Sequence, residues 1–196
     1  MTVSPPDVID VIGHVSPPVA ALRRPVTREQ SQASFDALFS PVDDTALPLT
    51  ERWLVAAFVT RLTSDDDTAA FYARGARERT PRAAEVVLAE AATSATSGPF
   101  GVYAEAGLQS ENTDGRRYEP DAGVREAVGD RVAAALAHAH LLTARLRETD
   151  GASHDALLAA GLNVDAIVTL SQLIAFLAFQ QRVAAGLRVL SAEVTA

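Results

Sequence analysis

Apolar residues recur in this chain at helical spacing, and nowhere do they alternate with a period of two. Trp53, Leu54, Ala57, Phe58 and Leu62 form one stripe, which Arg61 alone interrupts. Val128, Val132, Ala135, Leu136, Ala139, Leu142 and Leu146 form another. Alanine and leucine dominate between them, and both favour helix over strand. An all-α protein of six to eight helices follows as the expectation. Its 196 residues suit one domain carrying an arm. The arm and a first helix are assigned to residues 1–40, and the helical domain to 41–196.

The arm is rich in proline, with short helical turns expected around 6–12 and 17–23. Thr27 with Gln30 reads as a capping box for the next helix, and Thr50 as the cap of the one after it. Pro81 fits the first turn of a further helix. From 97 to 120 the helical pattern fails, and Phe100, Tyr103 and Tyr118 stand as anchors in a long loop. Such a loop in a compact domain usually serves function or a partner. Helical pattern resumes over 121–147. A short helix ends at Gly161, and Asn163 caps a last helix reaching about 190, on the order of 40 Å long. That helix is apolar around much of its girth, which suits a central position or a contact between subunits.

Composition removes several classes of function. The chain has no cysteine, hence no disulfide, thiolate metal site or thiol chemistry. Its net charge is −8 and its 17 basic residues are all arginine, scattered rather than striped, so nucleic acid is not an expected partner. The N-terminus lacks the pattern of a signal peptide. The longest apolar run, LIAFLAF at 173–179, is far shorter than the roughly 20 residues of a membrane span. A cytoplasmic protein without a membrane partner is expected.

The stretch TSDDDTAAFY, residues 63–72, places three aspartates between two apolar helical segments. With Ser64 as N-cap and Asp67 at the third helical position, Asp65 and Asp66 fall in the first turn, where the helix dipole favours negative charge. A calcium loop would need alternating ligands, a glycine and a distant glutamate, and none is present. His138 and His140 point about 200° apart on a helix and cannot share one metal ion. No metal and no cofactor is expected. Trp53, Tyr72, Tyr103 and Tyr118 read as core or as pocket lining.

Residues 49–72, LTERWLVAAFVTRLTSDDDTAAFY, resemble the core of the carboxymuconolactone decarboxylase and alkylhydroperoxidase (AhpD-like) superfamily. LLTARL at 141–146, the stretch 157–187, and the segments around 6–13, 34–41 and 98–120 are similar to its peroxidase-related branch. The resemblance covers about 7 to 190. It implies an AhpD-like helical fold with a glutamate at the position of Trp53 and a Cys-x-x-Cys-x-x-x-His motif at Asp65, Thr68 and Tyr72. Every chemical position is therefore changed here, while Leu54, Phe58, Leu62 and Ala70 keep the apolar frame.

The resemblance also implies a pocket at Trp53, Asp65, Thr68, Tyr72 and His140, and assembly as a homodimer or hexamer. Three functional readings follow. One is a protein without hydroperoxide reductase activity that binds a small apolar or aromatic acid. Another is a cysteine-independent lactone decarboxylase-like or other acid–base enzyme using Asp65, Tyr72 and His140. The last is an oligomeric interaction protein whose 97–120 loop covers a partner subunit. Arg182 is expected to pair with Asp65 or Asp66 across subunits.

Overall fold

The computed structural model describes residues 6–195. Among these are ten α-helices and two 3-10 turns, and no β-strand beyond a single bridge between Gly101 and Thr113. The helices are α1 (Val8–Ile12), α2 (Pro17–Leu22), α3 (Pro25–Phe39), α4 (Leu49–Thr63), α5 (Asp67–Arg79), α6 (Pro81–Thr93), α7 (Ala122–Val128), α8 (Asp130–Ala144), α9 (Gly151–Ala159) and α10 (Val164–Thr195). The protein is all-α. The helices beyond the expected number are short pieces, chiefly α1 and α2 of the arm.

α4 is the centre of the molecule. It packs against α5, α6, α8 and α10, and every residue from Arg52 to Thr60 is buried. An all-round apolar helix has to sit there, because each face would otherwise meet water. Arg52 is the exception that satisfies backbone. Its guanidinium donates to the carbonyls of Leu47 (2.8 Å) and Leu38 (2.9 Å), tying the α3–α4 connection to the core.

The arm is folded into the same core. Val8, Ile9 and Ile12 join the cluster that also holds Leu38, Phe39 and Trp53. Asp7 and Asp10 are buried and shared between Arg23 and Arg28: Arg23 Nη1 lies 2.8 Å from Asp7 and 2.6 Å from Asp10, and Arg28 Nη2 lies 2.6 Å from Asp10. Residues 1–5 of the expected arm lie outside the described residues.

α10 runs 32 residues, about 48 Å. Leu170, Leu173, Leu177 and Ala184 lie fully buried on one side of it, which packs against α4 and α8. By length and hydropathy it is long and apolar enough to cross a membrane, although no uninterrupted apolar run in it approaches that length. Its other side exposes Val164, Val168, Phe179, Val189 and Leu190.

Several helix starts differ from the sequence expectation. α3 begins at Pro25 with no side-chain cap, so the Thr27–Gln30 box does not form. α4 begins one residue before Thr50, and Asp44 Oδ2 instead accepts from the Leu49 N–H (2.8 Å). The helix expected to run continuously over 121–147 breaks at Gly129, whose φ of +82° and ψ of 157° suit glycine alone. Asn163 does cap α10, its Oδ1 accepting from the Ala166 N–H at 2.9 Å.

Candidate functional site

The acidic stretch is a helix start, with its roles shifted. Asp66, not Ser64, is the N-cap of α5: its Oδ1 accepts from the Ala69 N–H at 3.0 Å. Asp67 follows as the first helical residue, 3.3 Å from Arg188. Asp65 lies outside the helix with an exposed side chain, 3.1 Å from Arg61. A carboxylate one residue nearer the helix reaches the same free N–H groups, so a run of three aspartates lets any of them serve.

Asp66 also fastens α10. Gln181 Nε2 donates to both Asp66 oxygens (3.2 Å each) and to the Thr60 carbonyl (3.1 Å), while Thr63 Oγ1 donates to Gln181 Oε1 at 2.6 Å. Next along the chain, Gln180 Oε1 accepts from the Tyr72 hydroxyl at 2.5 Å. Two adjacent glutamines thus join α10 to α4 and α5. The visible signal was a polar pair inside an apolar helix, which the sequence reading passed over.

Trp53 and Tyr72 meet inside the core, and Thr68 is buried one turn before Tyr72 on α5. Tyr72 is fully buried, with its ring centroid 5.6 Å from Trp53 and 5.2 Å from Phe39. Burial pushes its phenol pKa up, more than the Gln180 hydrogen bond lowers it. Thr68 is also fully buried, and its hydroxyl has no partner among the described residues. Trp53 lies flat over Gly75: a Cβ there would stand 2.1 Å from the indole ring. Arg79 covers the same ring, its Cζ 4.3 Å from the centroid. Phe35, Phe39 and Phe71 extend the aromatic cluster.

Asp65 and His140 stand apart from this group. Asp65 is on the surface. His140 is buried beside Tyr118, ring centroids 5.9 Å apart, and belongs to another cavity. Burial, then the charges of Arg116, Arg145 and Arg117, pushes its imidazole down to about 4. Tyr103 lies under Arg147, whose Cζ is 4.0 Å from the ring, within the folded 97–120 segment.

A groove of about 650 Å³ opens beside the start of α5. Val59, Leu142, Ile174 and Ala178 line its apolar wall, and Thr63, Asp66, Gln181 and Arg182 its polar one. Arg182 is exposed and donates to the Ala178 carbonyl at 3.0 Å. Among the described residues no carboxylate lies within ion-pair distance of it. The arrangement offers an apolar channel with one available guanidinium. Among the described residues, no group of three His, Asp or Glu side chains could hold a metal ion. Comparison with models of known families, with characterised proteins and with solved structures finds no match to this chain.

Proposed function

We propose that the protein is a thiol-less relative of the carboxymuconolactone decarboxylase and alkylhydroperoxidase superfamily that binds a small apolar or aromatic acid. The observation that carries the binding reading is the groove beside α5, apolar along α4, α8 and α10, with Arg182 free of any carboxylate partner among the described residues. A guanidinium is suited to grip a carboxylate with two parallel hydrogen bonds. The Asp66 carboxylate in the same groove is already engaged by the Ala69 N–H and by Gln181, which leaves Arg182 as the charge that selects the ligand.

Hydroperoxide reduction by the family's route consumes two thiols, and the chain has none. A carboxylate at Asp65 and a hydroxyl at Thr68 cannot be oxidised to a disulfide. The acid–base alternative gains less support: Asp65 is at the surface, Tyr72 is sealed in the core, and His140 lies in another cavity. A cytoplasmic setting goes with the binding reading.

Native mass spectrometry with benzoate as probe tests the proposal. Retention of benzoate by the wild-type protein, lost in Arg182→Ala, is the expected result. Equal retention by both proteins, or none by either, sinks the reading. Steady turnover of a hydroperoxide with a dithiol donor would overturn the claim of inactivity.

A further inference from the structure

A second cavity, of about 530 Å³, opens between α7, α8, α9 and the segment around Tyr118. It shares no lining residue with the groove beside α5. Its body is largely aliphatic, walled by alanines of α8 and α9 with Leu141 and Leu157.

Two histidines form part of this wall. His138 is 4% exposed and His140 1%, and among the described residues neither ring nitrogen of His138, nor Nε2 of His140, has a partner. An unpaired buried polar group is costly, and three such nitrogens on one wall call for an explanation. No side-chain hydrogen bond fixes the His138 ring about its terminal torsion, and that torsion is intrinsically broad. His138 lines the cavity, where a bound polar group would give its ring a partner. Burial, with the nearby His154 ring adding to it, pushes the His138 imidazole down to about 4. At neutral pH it is uncharged and can donate one hydrogen bond and accept another.

The rim sets the charge of the ligand. Arg117 and Arg145 both engage Glu148, at 2.5 Å and 2.7 Å. Arg125 is exposed and among the described residues meets only Asp130, at a long 3.5 Å, which leaves most of its donors without a protein partner there. Glu119 and Asp130 also stand at the rim and disfavour a polyanion such as a phosphate ester. One available guanidinium beside two acids suits a monoanion.

We infer that this cavity binds a small aliphatic hydroxy acid, with its carboxylate at Arg125 and its hydroxyl against the His138 imidazole. The inference does not rest on the acid-binding groove.

Long-range proton–nitrogen NMR of the imidazoles, with 3-hydroxybutyrate as probe, tests it. The His138 ring nitrogens should shift saturably, and butyrate should bind about tenfold more weakly for lack of the hydroxyl. Arg125→Ala, a surface change, should weaken 3-hydroxybutyrate about tenfold or more, while Arg182→Ala leaves the shifts unaltered. Unmoved ring nitrogens, equal binding of butyrate, or indifference to Arg125→Ala would each overturn the inference. Loss of the shifts in Arg182→Ala would assign the binding to the groove beside α5 instead.

Discussion

At the scale of single residues, the core keeps its polar atoms in narrow balance. The Tyr72 hydroxyl has Gln180 Oε1 as acceptor, and Gln180 Nε2 already lacks a partner among the described residues. Tyr72→Phe would leave both ends of a fully buried amide unpaired. The expected loss is about 1–3 kcal/mol of stability, read by urea unfolding; an unchanged midpoint would show that the bond contributes nothing. The histidines give a pH signature. His138 and His140 titrate near 4 in the folded protein against 6.5 as free side chains. Between those values the unfolded chain binds more protons, so stability falls as pH drops from 6.5 towards 4, and is recovered as pH rises through that window. The melting temperature of His138→Asn should accordingly depend less steeply on pH across that window than that of the wild type. Parallel slopes would show that His138 is not held neutral. Neither effect was legible in the sequence. A tyrosine at a helical position reads as core or pocket alike, and burial of a histidine depends on what packs over it from α9 and the 115–121 segment.

At the scale of elements, the join between α4, α5 and α10 decides most. Asp66 caps α5 and at the same time receives Gln181 from α10. Asp66→Ala should cost about 0.5–2 kcal/mol for the cap alone, and more because Gln181 is left without its carboxylate. Ser64→Ala should cost little, since Ser64 is exposed and makes no cap. Chemical unfolding of the two variants side by side separates the assignments: a larger loss in Ser64→Ala would restore the cap read from the sequence. Helix existence was legible because long apolar stripes have one low-energy solution, a buried face. Helix starts were not. Ser64 and Asp66 satisfy the same local chemistry, as do Thr50 and Asp44 from different distances, and only the tertiary path picks between them. Gly129 broke a helix that the apolar stripe alone carries straight through, because the stripe records burial and not the backbone turn between α7 and α8.

At the scale of the whole molecule, α10 presents a face that the other described residues do not cover. Val168, Phe179 and Leu190 are about half exposed, at 51%, 43% and 48%. They recur every eleven residues, which is three helical turns, so they lie along one side. Phe179 sits midway between the other two. An antiparallel second copy about a two-fold axis would therefore set Phe179 against its own counterpart and Val168 against Leu190, the self-complementarity that an isologous contact requires. Such a contact would give the dimer that the family resemblance implies, with a hexamer needing further contacts. Ala175 and Gly186 on the same side are small and allow close approach. Phe179→Glu would put two carboxylates at the axis and remove the largest apolar contact. Sedimentation velocity should find a dimer for the wild type and a monomer for the variant, with unchanged helix content. A wild-type monomer at micromolar concentration would dismiss the contact, and a dimer in both would move it to another face. Arg182 stands one turn beyond Phe179 on this side and lines the groove beside α5, so a dimer formed there would border the acid-binding site. Benzoate retention in Phe179→Glu would then measure how much the second copy shields Arg182 from water.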